Sequence, residues 1–517
     1  MENKKEIKKY NLKIFFPLFI FSHLNLWSFI FFYTLKKNKD QNYISLLCFR
    51  GFCKMNEFDK DVNIKRRKFA KISGQLTILL FVLIMMLDFM DQNMLSPLLN
   101  PLLLDFFNDV SKTVPLGWIQ SVFTILSAIS MVFAGILADR GSRKKICFIG
   151  SLTYSFFSII TIFCPSGQLG YTFFFITRAL NGIGIGMIIP TIFSLLGDLA
   201  DPKKRATVFG FINLAMIIGQ MGGLILAGLL EGITGNWRIP YFFVGITNFI
   251  LAFALIFIKE PKRGSQEEEL KGLILEGAEY RFKLTKDDFK IMWTNKSNFW
   301  LIMNFIDCFP DGIIMFFIFK YMEDFHNVQE NVMTIILLGA LIFGGIGTVL
   351  IGILGDKMYQ KDKRSKVLLA LICNAFPVIF FIGFLLVDYT LPDNATIGEA
   401  FAIPQLTISA TLLILLMFIN QGVNPNWYSS LTDINLPEHR ATMIGLANFM
   451  DMIGRSIGPL IGAYIADYFG GIMAAMWAGV GFWILNIVLW LPVFHYIRGD
   501  LQNVHEILEK RAIEMNK

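Results

Sequence analysis

Acidic side chains occur in pairs within strongly apolar stretches of this 517-residue sequence. Asp88 and Asp91 are three residues apart and Asp307 and Asp311 four apart, so each pair shares one face of a helix. A charge at the centre of a bilayer costs roughly a few kcal/mol or more, so it needs a partner, a cavity or a function. Because two close carboxylates do not both stay ionised, Asp307 or Asp311 is a candidate proton carrier or cation ligand. Solvation at a cavity wall is the alternative for this pair.

Basic and amide side chains lie within other apolar stretches. Arg178 is isolated in one of them, whereas Asp451 and Arg455 are four residues apart, which favours an ion pair within a helix and leaves a substrate role open. A further stretch combines amides with aromatic rings, which suits substrate binding in a cavity or, equally, hydrogen bonding between helices. Its members are Asn420, Gln421, Asn424, Asn426, Trp427 and Tyr428.

Sequence motifs for enzymatic and metal chemistry are missing. The chain has no P-loop GxxxxGK[ST], no GxSxG and no HExxH, and its polar segments are too short for a catalytic domain. The six cysteines form no CxxC pair, and we interpret them as small core residues. We therefore expect neither an enzyme nor a bound metal or cofactor.

Composition indicates the elements that must hold these residues. The sequence is 54% hydrophobic and 17% charged, with a mean hydropathy of +0.55, whereas soluble domains have about 25% charged residues. Apolar runs of about 20 residues are long enough to cross the hydrocarbon core as helices. Twelve are predicted, at 76–97, 116–138, 146–165, 170–197, 207–230, 241–258, 298–320, 332–354, 367–388, 405–430, 441–466 and 471–494.

The loops between these runs alternate between basic and non-basic along the chain. Loops 139–145, 198–206 and 355–366 are rich in Lys and Arg, whereas loops 166–169 and 389–404 have neither. By the positive-inside rule, both ends of the twelve-helix core are cytoplasmic in a cell membrane. The net charge of +7 comes mostly from these loops, where basic residues set the orientation of the protein in the bilayer. Nucleic-acid binding is therefore not expected.

Domain boundaries follow from the same pattern. Residues 1–73 form an N-terminal extension with one more apolar run at 14–35. This run is predicted to be a thirteenth membrane helix or an interfacial helix. A third interpretation, which we favour, is that translation starts at Met55. The remaining divisions are two six-helix bundles, a linker expected to form a solvated amphipathic helix, and a cytoplasmic tail. These divisions are 74–259 and 298–497 for the bundles, 260–297 for the linker and 498–517 for the tail.

The two halves of the core resemble each other. GILADRGSRKK at 135–145 corresponds to GILGDKMYQKDKRSK at 352–366. The segments 190–210 and 425–445 align without a gap and share nine residues, among them the pairs Asp198/Asp433 and Arg205/Arg440. A parallel duplication of six-helix units is one architecture of secondary transporters.

The motifs quoted above carry a family resemblance. GILADRGSRKK, its degenerate second copy and RALNGIGIG at 178–186 resemble the loop and fourth-helix motifs of the major facilitator superfamily. Within it, FMDQNMLSPLL (89–99), NWRIPYFF (236–243) and EPKRG (260–264) are similar to Spinster-type transporters. Gln92 and Ile185 depart from that subfamily, which usually has Arg and Glu at these positions. The resemblance implies an all-α membrane fold of twelve helices in two six-helix bundles.

The resemblance also implies roles for two groups of residues. Spans one and four face each other across the central cavity of this fold, so Asp91 and Arg178 are expected to form a cavity ion pair with Asp88 nearby. Protonation of Asp91 or an acidic substrate group would release Arg178, and a fixed structural pair is the alternative. The loop motif implies a cytoplasmic gate that holds the outward-facing state, formed by Gly135, Asp139, Arg143 and, in the second copy, Asp356.

Together these features predict a monomeric transporter that works by alternating access. The predicted solute is small and organic, or amphipathic and lipid-like, and the membrane carboxylates indicate proton coupling. A uniporter of an organic anion and a receptor without transport activity on the same fold are the alternatives. Substrate counterflow in vesicles separates transport from binding alone.

Overall fold

A computed structural model of the protein describes residues 74–109, 114–393 and 395–516. The predicted extension 1–73, including Met55, lies outside these described residues. Within them the chain is helical, without β-strands, as expected where the backbone must satisfy its hydrogen bonds inside each apolar segment. Short helices at Leu99–Phe107 and Ile397–Ala402 lie in the connections between the long ones.

The long helices are labelled α1–α12 in chain order. They are Gly74–Asn93, Val114–Arg140, Arg143–Ile160, Gly167–Leu199, Arg205–Thr234, Arg238–Phe257, Lys296–His326, Glu330–Tyr359, Ser365–Leu386, Pro404–Asp433, Arg440–Phe469 and Gly471–Met515.

Eleven of these helices are long and apolar enough to cross a membrane by themselves, and α11 is not among them. Asn448, Asp451 and Arg455 make α11 more polar. Its 30 residues nevertheless form an unbroken helix, about 45 Å long at 1.5 Å per residue. It packs against α2, α7 and α12, which bury Asn448 and leave Asp451 half-buried and Arg455 exposed.

Two long helices are interrupted beside candidate site residues. In α7 a 3₁₀ turn at Asn304–Asp307 precedes the segment Cys308–His326. In α10, Gln421 and Gly422 separate Pro404–Asn420 from Val423–Asp433. Pro310 and Pro425 follow the two breaks and lack the N–H that would continue the ladder. The breaks therefore place Asp307 and Gln421 at helix ends.

The linker and the C-terminal segment differ from the predictions. The linker is not one solvated amphipathic helix: within 260–295 only Lys271–Leu275 and Asp288–Thr294 are helical. The predicted tail, in turn, continues α12 to Met515. The reason is a small apolar cluster that joins both segments, because Leu270 and Ile274 pack against Val504 and Leu508.

The long helices form two six-helix bundles, α1–α6 and α7–α12, which meet where α2 packs on α11 and α5 on α8. Glycines permit the corresponding close contacts inside each bundle. Gly219 and Gly223 of α5 lie against the backbone of α1, and Gly454 and Gly458 of α11 lie against α7. The glycines of the GxxxGPxxG motif in α11 thus pack two helices together.

Candidate functional site

Two aspartates from the repeated loop motif cap helices of the opposite bundle. Asp139, in the last turn of α2, accepts hydrogen bonds from the N–H groups of Ala441 (3.2 Å) and Thr442 (2.6 Å) at the start of α11. Asp356, in the last turn of α8, accepts from Ala206 (3.2 Å) and Thr207 (2.7 Å) at the start of α5. Each carboxylate accepts from first-turn N–H donors that have no partner within their own helix, and it faces the positive end of the helix dipole. We name the end of the molecule that carries these caps the basic face, after its loops 140–145, 202–205 and 357–366.

Close backbone packing accompanies each cap. A Cβ atom on Gly135 would clash with the carbonyl group of Ala441, and one on Gly352 would lie 2.7 Å from the carbonyl oxygen of Ala206. The predicted gating residues Gly135, Asp139 and Asp356 therefore all lie where the two bundles meet.

Arg143 contributes through an intermediate carboxylate. It pairs with Asp198 at the end of α4 and donates to the carbonyl oxygen of Ser194 at 3.2 Å, both within its own bundle. The other oxygen of Asp198 accepts from Arg440 Nη1 of the opposite bundle at 3.0 Å. Arg143 thus orients the acceptor of a contact between the bundles without crossing between them itself.

A symmetric charge network on the basic face was not predicted. Arg205 Nη1 donates to Asp433 Oδ1 at 2.6 Å, which is the repeat-related counterpart of the Arg440–Asp198 pair. Glu267 of the linker joins the two, because its Oε1 accepts from Arg205 Nη2 at 2.5 Å and from Arg440 Nη2 at 2.6 Å. The two Arg–Asp pairs could have been predicted from the ungapped repeat, because both the Asp and the Arg positions coincide in it. Nothing in the sequence distinguishes Glu267 from its acidic neighbours.

Glu267 stays ionised at neutral pH. It is 6% exposed, and burial alone would favour its neutral form. The guanidinium groups of Arg205 and Arg440 outweigh burial and lower the pKa of Glu267 to about 2. The linker therefore supplies a negative charge between two cations, one from each bundle.

Asp91 and Arg178 form the predicted ion pair, with Arg178 Nη1 donating to Asp91 Oδ2 at 2.8 Å. Ser158 of α3 donates to the other oxygen of Asp91 at 2.8 Å, and the Arg178 guanidinium lies over the Tyr241 ring of α6 at 4.3 Å. Asp91 is 1% and Arg178 4% exposed. The prediction of a cavity location was wrong for this structure, because α3, α4 and α6 enclose the pair within the first bundle.

Asp88 lies one turn from this pair and is fully buried. Among the described residues neither of its carboxyl oxygens has a partner in hydrogen-bond geometry, although Gln92 and Asp91 are polar neighbours. An ionised carboxylate without partners is strongly disfavoured in such a setting. Asp88 is thus the candidate proton-binding group of the first bundle.

The second bundle holds a more accessible group of charges. Asp307 and Asp311 of α7 are half-buried, as is Asp451 of α11, and Arg455 is exposed. The four interact electrostatically, and we name them the α7–α11 cluster. The predicted ion pair between Asp451 and Arg455 is not formed, since no carboxylate of the described residues lies within 4.0 Å of the Arg455 nitrogens. Arg455 interacts instead with Cys308 of α7, and Cys308 also lies against Gly454 of α11.

The amides of α10 separate into two groups. Gln421 and Asn424 are half-buried at the helix break, and Asn420 is 7% exposed. Deeper in the helix, Trp427 donates to the carbonyl oxygen of Leu301 at 2.9 Å, and Tyr428 donates to Asn448 at 2.6 Å. Trp427 and Tyr428 thus hold neighbouring helices together. Asn426 donates to the carbonyl oxygen of Gly422 at 2.8 Å, while its own Oδ1 is buried without a hydrogen-bond partner among the described residues.

Known proteins match this chain over most of its length. The hexuronate transporter of Bacillus subtilis (strain 168) is 22% identical over 389 residues, covering 74% of this chain and 86% of the relative. The quinolone resistance protein NorA of Staphylococcus aureus (strain COL) is 23% identical over 397 residues, covering 76% and 91%. These matches concern the superfamily as a whole, so the Spinster-type resemblance stays a prediction.

Two solved structures share the fold. The proton:xylose symporter XylE and the human organic anion transporter MFSD10 (TETRAN) each superpose with a TM-score of 0.59 over 81% of this chain. The superposition covers 95% of the XylE chain at 13% sequence identity and 99% of the MFSD10 chain at 15%. The sequence profile of the Major Facilitator Superfamily matches residues 81–412, from α1 into α10. This chain of two six-helix bundles, joined by reciprocal caps from a repeated loop motif, therefore belongs to the Major Facilitator Superfamily of membrane transporters.

Proposed function

We propose that this multi-pass transporter is secondary active and moves a small organic or amphipathic solute by alternating access, coupled to protons. In this proposal it works as a monomer in the cell membrane, with the basic face in the cytoplasm. Its family makes it a transporter rather than an enzyme.

The reciprocal caps carry the proposal of alternating access. Asp139 and Asp356 join the bundles at the basic face through hydrogen bonds to helix ends, which can break and reform without unfolding either bundle. A solute shifts the equilibrium between two such states only by its difference in affinity for them. The caps therefore favour the state closed at the basic face until a ligand or proton compensates for their loss.

Charge balance in the α7–α11 cluster supports proton coupling. Asp307, Asp311 and Asp451 are three potential negative charges against the single positive charge of Arg455. In a membrane interior this excess favours the binding of protons or of a cation. Exchange at the cluster, together with Asp88 in the first bundle, would couple proton movement to the change of state.

The test is substrate-dependent proton movement in proteoliposomes, followed with an internal pH dye. Wild type, Asp311→Asn and Asp91→Asn are screened with lysolipids, organic anions and hydrophobic cations, and Asp324→Asn is the control. Asp324 also lies on α7 but pairs with Lys320 at the helix end. We expect flux with one substrate class, at least tenfold slower in Asp311→Asn and unchanged in the control.

A different result would reject the coupling. Counterflow of a solute without proton flux, equal in wild type and both site variants, would indicate the alternative uniporter and leave Asp91 with a structural role. Saturable binding without counterflow would indicate a receptor.

A further inference from the structure

The short linker helix Asp288–Thr294 is held against the start of α7 by its inner face. Asp288 accepts from the Thr285 N–H at 2.6 Å and from its hydroxyl at 2.8 Å, and Met292 is buried. Asn298, in the first turn of α7, donates to the Met292 carbonyl oxygen at 2.7 Å. The helix therefore has a fixed position directly before the membrane-spanning part of α7.

The outer face of the same segment carries exposed apolar and aromatic side chains. Ile291 and Trp293 are 38% and 45% exposed, and Phe299 of α7 is 47% exposed. The predicted seventh span begins at 298, and exposed apolar residues continue along α7, for example at Phe316. Tryptophan rings are enriched where a bilayer meets water. The outer face thus continues the lipid-facing surface of α7 beyond the end of its span.

Basic residues surround these apolar side chains. Residues 281–299, which we name the linker–α7 segment, contain five exposed basic residues, namely Arg281, Lys283, Lys286, Lys290 and Lys296. No carboxylate of the described residues lies within 4.0 Å of their nitrogens. The two acidic residues of the segment are Asp287, which is exposed, and the buried Asp288. The segment therefore presents an excess of uncompensated positive charge.

Other lysines on the basic face have different surroundings. Lys203 pairs with Glu268 at 2.8 Å, and Lys366 with Asp433 at 3.0 Å. Lys204 and Lys361 are exposed, but they lie in the loops 200–204 and 360–364, which have no aromatic residue. The linker–α7 segment thus combines unpaired lysines with exposed aromatic rings.

We propose that the linker–α7 segment is a docking surface for anionic phospholipids of the adjoining leaflet. Lys286 and Lys290 contact the phosphate groups, and Trp293 and Phe299 lie beside the upper part of the acyl chains. Charge complementarity selects anionic headgroups, because clusters of basic residues next to a membrane span attract anionic lipids. Continuity with the lipid-facing surface of α7 selects a bilayer over a soluble partner. The inference is independent of the transported solute and of the coupling ion.

The test compares two lipid compositions around the full-length protein. Nanodiscs contain phosphatidylcholine alone or phosphatidylcholine with about one-fifth phosphatidylglycerol, and hydrogen–deuterium exchange with mass spectrometry follows residues 281–294. We expect at least threefold slower exchange of this segment in the anionic discs. The double variant Lys286→Gln/Lys290→Gln should remove the difference. Lys204→Gln/Lys361→Gln removes the same charge elsewhere on the basic face and should keep it.

A second pair of variants tests the aromatic contact without changing charge. Trp293→Ala should reduce the protection in anionic discs at least twofold, because the segment loses its largest apolar contact with the bilayer. Trp477 is 41% exposed near the start of α12, at the opposite end of the molecule. Trp477→Ala should therefore leave the exchange of 281–294 as in wild type.

Three results would overturn the inference. The first is equal exchange of 281–294 in the two kinds of disc, and the second is an equal loss of protection in the two double lysine variants. The third is the same protection in phosphatidylcholine discs after addition of soluble glycerol phosphate, which would indicate a site for free anions. Exchange is measured without solute, so none of these results depends on transport.

Discussion

At the scale of single residues, each of the two repeated aspartates caps a helix of the opposite bundle, far from it in sequence. Asp139 belongs to the first bundle and caps α11, whereas Asp356 belongs to the second and caps α5. A carboxylate at a helix start stabilises it by about 0.5–2 kcal/mol. The two residues therefore contribute similar energies at two separate places.

This reciprocity predicts where each substitution acts. Asp139→Asn should raise amide exchange at 440–446, because the first-turn donors of α11 lose their charged acceptor, and leave 205–211 unchanged. Asp356→Asn should do the opposite. Hydrogen–deuterium exchange with mass spectrometry measures both segments in one sample. Exchange that increases only in the loop that contains the substituted aspartate, and not at the helix it caps, would contradict the capping assignment.

Glu267 predicts a loss of stability that depends on pH. Glu267→Gln leaves the Arg205 and Arg440 guanidinium groups buried without their shared counter-ion, which should cost about 3–5 kcal/mol. Because the pKa of Glu267 is lowered to about 2, its stabilising contribution is complete above the ordinary carboxyl range near pH 4.5 and declines as the pH falls toward 2. Thermal unfolding at pH 7, 5 and 4 should give the full difference at pH 7 and 5.

The neighbouring residue provides the control for that measurement. Glu268 pairs with Lys203 in solvent, with a side chain 62% exposed, so Glu268→Gln should unfold as wild type does. Equal effects of the two variants would mean that Glu267 contributes no more than a surface charge.

The residue scale is also where the sequence is least sufficient. The facing of spans one and four, implied by the family resemblance, predicted that Asp91 and Arg178 would meet, and they do. Their location inside the bundle depends on how α1 and α4 are rotated, which is set by contacts such as those of Ser158 and Tyr241. Spacing along one helix does not define that rotation.

At the scale of helices, small residues determine which helices approach closely. Gly223 of α5 lies against Met90 of α1, where an added Cβ would be 3.0 Å from the Met90 carbonyl carbon. Gly228, on the same helix, has only Pro97 nearby, at 4.0 Å. Two chemically identical substitutions therefore meet different surroundings.

We predict opposite effects for these two glycines. Gly223→Ala should destabilise the protein by about 1–3 kcal/mol, because the backbones of α1 and α5 must separate. Gly228→Ala should be neutral or stabilising, because alanine favours the helix by about 1 kcal/mol. Thermal unfolding of both variants in detergent tests this, and equal melting temperatures would show that the α1–α5 contact can relax.

Helices were predicted well where hydropathy and charge agree, and less well elsewhere. The sequence predicted α11 as an apolar run at 441–466, although it is more polar than the eleven helices that are long and apolar enough to cross a membrane by themselves. The linker was misjudged because its charged residues suggested solvent exposure. In the structure Glu267 is neutralised by buried arginines and Leu270 packs on α12, contacts that require residues distant in sequence.

At the scale of the whole molecule, the distribution of loop charge predicts one orientation. A cysteine replacing Lys361 on the basic face should be protected from a membrane-impermeant maleimide in intact cells, whereas one replacing Gly398 should be labelled. Both are made in a variant lacking the native cysteines and checked for labelling after permeabilisation. Labelling of Lys361→Cys alone in intact cells would reverse the orientation.

The contacts of the basic face have the symmetry of a dimer. Residue Asp139 of one bundle caps the other, and its repeat-related counterpart Asp356 returns the contact, as in the isologous interface of a two-fold homodimer. Two copies of a single six-helix unit would make the same pair of contacts, so joining duplicated units in one gene would preserve the interface without any new complementarity. Glu267 differs from these paired contacts, because a single carboxylate bridges both arginines. In a homodimer each copy would carry the same residue, so the interface would contain two such carboxylates or none. The linker therefore adds the asymmetric element that a two-fold pair lacks, and it allows each half to diverge while the interface is kept.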